Sequence, residues 1–320
     1  MSLKLGIIGL SNGNGHPYSW SSIFNGYSTK EIAKCPFPVI PKYLSEQKWP
    51  ESKISNAEVK GIWTQSEEIS KSIARFSLIE NIYLDIKELI YNSDLILLAR
   101  DDAENHYENA YHALKYKKPI FIDKPIALSI KDLEKIYKLS TNPRQIFSCS
   151  AMSFCPAFSK LTKCFEDEEL GSIELISPKT WDKYSVHLID PLIKYLRESY
   201  LNNYSLEIFD IKFLNKETSI NCFLKTLKQK HPVTIKITTT GESNGQIGFY
   251  AFNKNKKLIR KEFHNQTFLS FKGALEKFIK INSRNFEGYS FDYNHHYKVV
   301  EIIQAPRKIC TKRTIKQPSA

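Results

Sequence analysis

The stretch from Leu5 to Trp20, LGIIGLSNGNGHPYSW, passes from apolar residues to glycine, asparagine and histidine within a few positions. A strand, a glycine-rich turn and a helix in that order can cradle a dinucleotide pyrophosphate. Glycines let the backbone approach the phosphates, and the helix N-terminus supplies N–H donors and a partial positive charge. The spacing departs from G-x-G-x-x-G: Gly9 is followed by Leu10, Ser11, Asn12, Gly13, Asn14 and Gly15. Ser11 and Asn12 can donate side-chain hydrogen bonds where bare backbone usually serves. By itself the loop is also compatible with a plain strand-to-helix turn. Two other groups could do chemistry. Lys124, in FIDKPIALS, stands where a strand ends and the chain turns, so its ammonium can reach into a cleft. His187, in WDKYSVHLIDPLIKYL, has a side chain whose ordinary pKa suits acid–base work near neutrality.

The elements that must position these groups are legible as alternating patterns. Lys4 to Gly9 reads as a buried strand, and the next helix is expected near Pro17. The Pro-rich connection CPFPVIPKYLSEQKWPES looks too irregular for an element and reads as an inserted surface loop. EVKGIWT is a second strand, Glu67 to Phe76 an amphipathic helix, LIENIYLDIKELIYN a short helix and SDLILLAR a third strand. His106 to Tyr116 reads as helix, KPIFID as strand, Ser129 to Leu139 as helix and QIFSCSA as strand. Strands apolar on both faces, alternating with helices, indicate a parallel sheet covered on both sides.

After about residue 150 the texture changes. IELISPKTW, LEIFDIKFL, SINCFLKTL, PVTIKITTT and QIGFYAF form a run of strands with turn signals between them, which predicts an antiparallel meander and a second domain. GALEKFIKI and the segment around HHYKVVEIIQ read as C-terminal helices. The expected class is α/β. It comprises an N-terminal domain built on the parallel sheet over 1–125, with helix 129–139 and strand 145–151 packing on it. A C-terminal α+β domain with a large open, mainly antiparallel sheet follows over 126–320.

Composition narrows the function classes. A chain of 320 residues with 42% hydrophobic and 25% charged residues is ordinary for a soluble protein of two domains. No apolar run approaches the roughly 18 residues of a membrane helix, and MSLKLGIIGL has too short an apolar centre for a secretory segment. A cytoplasmic location is expected. The six cysteines form no CxxC pair, so neither a zinc site nor a disulfide framework is indicated, and no metal is assigned. The net charge of +12 is spread along the chain without a recognition motif. It favours a solvated surface, then attraction of an anionic small molecule, and last nucleic acid.

FIDKPIALS resembles the D/E-K-P motif of the glucose–fructose oxidoreductase, inositol dehydrogenase and MocA family (Gfo/Idh/MocA). Its surroundings are similar too. ARDDAENHYENAYHALKYKKPIFIDKPIALSIKDLEKI follows the family's order of strand, polar turn, His-bearing helix, basic turn, strand and D/E-K-P. LGSIELI resembles the entry into the second domain, and WDKYSVHLIDPLIKYL stands in the place of the D-x-x-x-H helix. The resemblance spans essentially the whole chain, with the DKP region its most specific part. It implies a Rossmann domain binding NAD or NADP and a C-terminal open sheet that often mediates homo-oligomerisation. It also implies oxidation or reduction of a sugar, cyclitol or nucleotide-sugar carbon in a cleft between the domains, and a cis Lys124-Pro125 bond.

The resemblance also assigns site residues. Lys124 would bind the reacting hydroxyl and the nicotinamide ribose and relay a proton, and His187 would be the general acid–base. Gly9, Ser11, Asn12, Gly13, Asn14, Gly15, His16, Thr64, Arg100, Asp101, Asp123 and Lys124 are the candidate cofactor contacts. Lys124, Lys183, Tyr184 and His187 are the candidate substrate contacts. Three departures stand out. Asp123 replaces the usual Glu, shortening the arm by one methylene. Lys183 stands where the family has Asp, one helical turn before His187, and is a third candidate catalytic residue. An ammonium there disfavours the imidazolium and favours a substrate with a carboxylate or phosphate. Asp182 reads as an N-cap for a helix starting at Lys183. The end of the second strand carries Thr64 and Gln65 instead of a ribose-binding acid, so the choice between NAD and NADP stays open, with a lean to NAD. His16 and His106 could line the phosphate region or simply start helices. The expected activity is hydride transfer with a sugar or nucleotide-sugar. The rivals are a dinucleotide-binding homologue without turnover, favoured by Lys183, and an enzyme using transient oxidation for elimination or epimerisation.

Overall fold

The computed structural model describes residues 2–142, 144–229, 231–283, 286, 288 and 291–315 of the 320-residue chain. The apolar runs of the N-terminal part form β1 (Leu3–Gly9), β2 (Ala57–Thr64), β3 (Asn81–Ile82), β4 (Leu95–Leu98), β5 (Ile120–Ile122) and β6 (Ile146–Phe147). Every pairing among them is parallel, in the order β3-β2-β1-β4-β5-β6. This is the dinucleotide-binding order, with its switch point between β1 and β4. Leu5, Ile7, Ile8 and the whole of Leu95–Leu98 are buried, as strands covered on both faces require.

Two expectations in this half change. The Pro-rich connection is not featureless: Ile32–Lys34 makes a 3-10 turn and Val39–Ser45 an α-helix. Ile40, Tyr43 and Leu44 recur at helical spacing and are buried, while Pro38 and Pro41 fall at the start, where a missing N–H costs nothing. LIENIYLDIKELIYN is not one helix but β3 followed by the helix Ile86–Tyr91, which Asp85 caps by accepting from Lys87 N–H at 2.8 Å.

The second sheet comprises β7 (Leu170–Ser177), β8 (Tyr204–Leu214), β9 (Glu217–Thr226), β10 (Val233–Thr239), β11 (Gly248–Asn253) and β12 (Leu258–Phe263), in the order β12-β11-β7-β10-β9-β8. It is mainly antiparallel, as expected, except that β7 and β10 run parallel. The helix Val186–Tyr200 contributes Leu188, Ile189, Leu192, Ile193 and Leu196 to the buried core of this unit.

Among the described residues the chain divides into two compact units. The first holds 1–127, 131–149 and 267–293, the second 128–130, 150–266 and 294–320. The helix Thr267–Ile281, expected in the second domain, therefore lies in the first. Aromatic packing is the reason. Phe278 lies 5.7 Å from both Phe121 and Phe147, and Phe291 lies 5.3 Å from Phe147. Burying each such ring stabilises by about 1.5–3 kcal/mol, which no pairing local in sequence replaces. No helix among the described residues is long and apolar enough to cross a membrane.

Candidate active site

In the first unit the loop after β1 and the ends of β4 and β5 meet at the switch point. Asp123 directly follows β5 and is 1% exposed. Its Oδ1 accepts the Lys124 N–H at 2.8 Å, and its Oδ2 accepts from Asn14 Nδ2 at 2.9 Å and from His16 Nδ1 at 2.5 Å. Burial pushes this carboxyl up, but His16, Lys124 and Asn14 together outweigh it and hold the group below its usual range. His16 and Asn14 thus both close on the same carboxylate oxygen of Asp123. His16 is held from its other sides by Trp20, stacked at 5.1 Å, and Phe271, edge-on at 5.1 Å.

The loop itself is tied at three points. Ser11 Oγ donates to Asp101 Oδ1 at 2.7 Å and accepts the Asp101 N–H at 3.1 Å. Asn14 N–H closes a turn on Ser11 O, and Asn14 Oδ1 accepts the His16 N–H at 2.8 Å. Gln65 grips the Leu10 peptide from β2, accepting its N–H at 3.1 Å and donating to its carbonyl at 2.7 Å. Gly13 adopts φ +77°, and a Cβ there would meet nothing within 4 Å. At Gly15 a Cβ would strike Ile40 at 2.6 Å and Phe37 at 2.8 Å. Gly13 therefore opens a space, and Gly15 permits a close approach.

Those observations test the fit to a dinucleotide. Among the described residues the N–H groups of Asn12, Gly13 and Gly15 have no protein acceptor, and they belong to the open loop around Gly13. The helix His16–Asn25 begins beside them, although Pro17 removes one N–H and Asn14 occupies another. A pyrophosphate fits this cradle. At the adenosine end the fit is made without an acid. Thr64 is buried and spends its hydroxyl on Ser66 O at 2.6 Å and on Ser70. Arg100 is clamped by Asp102, through Nε at 3.0 Å and Nη2 at 2.6 Å. Burial raises the Asp102 carboxyl, and the bonds from Arg100 and Asn105 more than offset it, so it titrates below its ordinary value.

Lys124 is 7% exposed, its Nζ 3.8 Å from Asp101 Oδ2. The Lys124-Pro125 peptide is cis. His106 is fully buried and bridges Arg100 O at 2.7 Å and Ile126 O at 3.1 Å, so it braces the turns after β4 and β5 from behind. Of the residues expected at the cofactor, the first unit brings together Gly9 to His16, Asp101, Asp123 and Lys124. Thr64 and Arg100 lie nearby with their polar groups committed to local turns.

In the second unit the expected helix is two pieces, Trp181–Tyr184 and Val186–Tyr200. Asp182 is not an N-cap: it lies in the first turn and pairs with Arg307 at 2.7 Å. Lys183 is exposed. Lys179 Nζ donates to Tyr184 Oη at 2.6 Å, and the Tyr184 ring lies 5.0 Å from the His187 ring. His187 Nδ1 meets Ser150 Oγ at 2.8 Å. Asp190, one turn further along the helix and 2% exposed, accepts from Ser150 N–H at 3.0 Å, from Ser153 Oγ and from His295 Nε2 at 2.8 Å. Ser150, Asp190, His295 and Lys179 escaped the sequence reading. Only the i, i+3 spacing of His187 and Asp190 was visible there.

Residues 42–149 match the family model described as oxidoreductase family, NAD-binding Rossmann fold. Curated proteins give no significant match. Solved structures share the fold across nearly the whole chain. A probable dehydrogenase from Thermotoga maritima superposes with a TM-score of 0.67 at 15% identity, covering 97% of each chain. A dehydrogenase (MviM) from Clostridium difficile gives 0.61 at 18% identity, covering 98% of this chain and 100% of its own. The myo-inositol dehydrogenase from Lactobacillus casei, solved with NAD(H) and myo-inositol, gives 0.65 at 12% identity over 97% of this chain and 95% of its own. At these identities the structures speak for the fold alone. The DKP resemblance is borne out by the family model: residues 42–149, which hold the DKP turn, are similar to the Gfo/Idh/MocA oxidoreductases, an NAD-binding Rossmann family.

Proposed function

We propose that the protein is an NAD-dependent oxidoreductase moving hydride between nicotinamide and a hydroxyl-bearing carbon of a sugar or cyclitol. The observation that carries this reading is Asp123, a buried carboxylate that ties the glycine loop to the backbone of Lys124. A bound dinucleotide supplies the hydride chemistry. The chain's part is to hold the pyrophosphate on the N–H groups of Asn12, Gly13 and Gly15, and to aim Lys124 at the reacting oxygen. There its ammonium orients the hydroxyl, stabilises charge developing on the oxygen and relays its proton. In the second unit, considered by itself, His187 is the candidate group to meet a substrate hydroxyl. NAD is favoured over NADP because Arg100, whose Nη1 lies 3.4 Å from Gln65 Oε1 just after β2, is already paired with Asp102.

A specific observation favours a second reading, dinucleotide binding without turnover: Lys183 replaces the family's acid and is exposed. The same exposure removes the argument for an anionic substrate that rested on Lys183. Phe209, Phe213 and Leu214 are exposed on the edge strand β8, which supports the expected homo-oligomer formed through this sheet. A cytoplasmic location remains part of the proposal. Calorimetry with NAD and NADP, followed by a scan of cyclitols, sugars and nucleotide-sugars for a change in nicotinamide absorbance, tests the reading. Tight NAD binding with reduction by one substrate class supports it. Binding without turnover on any class moves the assignment to the second reading, and absence of dinucleotide binding ends both.

A further inference from the structure

The geometry points to Ser150 as a positioning residue that fixes the tautomer of His187, so that the neutral ring presents Nε2–H as a donor to the substrate oxygen. This inference rests on the reading that His187 meets the substrate. It revises the group's role from proton acceptor to hydrogen-bond donor.

The argument is a count of donors and acceptors. A serine hydroxyl has one O–H to donate and two lone pairs to accept with. Ser150 Oγ already accepts the Met152 N–H at 3.1 Å. Its remaining contact is His187 Nδ1 at 2.8 Å. If Nδ1 carried the proton, it would donate to the second lone pair, and the Ser150 O–H would be left without an acceptor. Ser150 is fully buried, so bulk solvent does not supply that acceptor. If Nδ1 is bare, the Ser150 O–H donates to it and every group is satisfied. The second arrangement is favoured by about tenfold or more, the cost of orphaning one buried hydroxyl. The neutral imidazole then carries its proton on Nε2.

The serine is itself pinned. Its N–H is bound by Asp190 Oδ2 at 3.0 Å, and Asp190 is locked in turn by Ser153 and by the buried His295. His187 and Asp190 share one helix, so the element that carries the imidazole also carries the carboxylate that anchors its partner. A carboxylate placed against Nδ1 would have the opposite effect, since it can only accept and would hold the proton on Nδ1. The acid the family places one turn before the histidine is the exposed Lys183 here, and a hydroxyl stands at Nδ1 instead. A neutral imidazole donating from Nε2 polarises a carbonyl or anchors a hydroxyl, as neutral histidine electrophiles do, without removing its proton.

The test is nitrogen NMR of the full-length, 15N-labelled protein at about pH 8, where an ordinary imidazole is neutral. The His187 signals are assigned by their loss in His187→Gln. Wild type is expected to show a protonated Nε2 and a bare Nδ1 in at least about tenfold excess. Ser150→Ala, which removes the donor, is expected to shift that ratio by about tenfold towards Nδ1–H, and Ser150→Thr to restore it. A wild-type spectrum with the proton on Nδ1 overturns the inference, whatever the turnover and however the variants fold. So does a tautomer ratio unmoved in folded Ser150→Ala. The reading of the site fails separately: full turnover by His187→Gln on the substrate found above removes His187 from the chemistry, and with it the catalytic half of the inference.

Discussion

Replacing Asp123 with Asn keeps the shape of the buried arm and removes its charge. Asp123 accepts three hydrogen bonds, from Lys124 N–H, Asn14 Nδ2 and His16 Nδ1, and is 1% exposed. Asn retains one oxygen, which can keep the Lys124 N–H. Its NH2 group then faces two donors. His16 can recover one bond by accepting at Nδ1, but Asn14 Nδ2 is left against another N–H. Hydrogen bonds to a buried charge are worth about 1.5–3 kcal/mol each, and breaking a buried pair costs about 3–5 kcal/mol. With one neutral bond recovered, the loss is about 3 kcal/mol, or a Tm lowered by roughly 6–12 °C in a domain of this size. Differential scanning calorimetry at neutral pH reads it directly. The sign with pH follows from the lowered Asp123 carboxyl. A depressed folded pKa contributes stability that is complete above the unfolded value near about 4 and disappears as pH falls through the folded one. Wild type and variant should therefore converge in acid. A double-mutant cycle with His16→Gln should return a coupling of about 1.5–3 kcal/mol. A Tm within about 2 °C of wild type, or a coupling near zero, would refute the claim that this carboxylate clamps the loop to the DKP turn.

Gly13→Val puts a β-branched side chain at φ +77° in the open space of the cradle, so affinity for NAD and NADP should fall together, by about tenfold or more; unchanged calorimetric affinities would reject the loop as the pyrophosphate site. Lys124→Ala should lower kcat by about a hundredfold or more while NAD affinity stays near wild type, and wild-type turnover would place the chemistry elsewhere. Lys183→Asp should change kcat/KM by less than about twofold, because an exposed side chain is screened, and a large gain or loss would show that Lys183 reaches the substrate. Burial lowers the pKa of His264, whose Nδ1 lies 3.2 Å from Cys155 Sγ. The unfolded chain therefore takes up the proton first, and stability should fall as pH drops below about 6.5, by at most about 1.4 kcal/mol per pH unit. Urea unfolding between pH 5 and 7 should show that slope reduced in His264→Phe, and an unchanged slope would exclude His264 as its source.

Much of the first unit could be read locally. An apolar run ending at Gly9, the alternation of strands and helices, and the DKP turn are each signalled within a few residues, because backbone geometry and burial on both faces restrict residue type position by position. What each polar group does was decided across long separations. Asp123 meets residues 107 and 109 positions away, and His187 meets Ser150 across 37. No periodicity encodes such pairs. The helix Val39–Ser45 was hidden by its prolines and became stable only against the buried residues it covers. Phe278 and Phe291 bring the 267–293 segment into the first unit through rings on β5 and β6, although the chain leaves that unit and returns. Lys183, one helical turn from His187 in sequence, is turned to solvent, while Lys179 reaches Tyr184 from the end of a strand. Residue type and spacing established which chemistry the chain could hold. The tertiary structure decided which donor faces which acceptor, because hydrogen-bond direction and burial are properties of three-dimensional neighbours and not of the chain order.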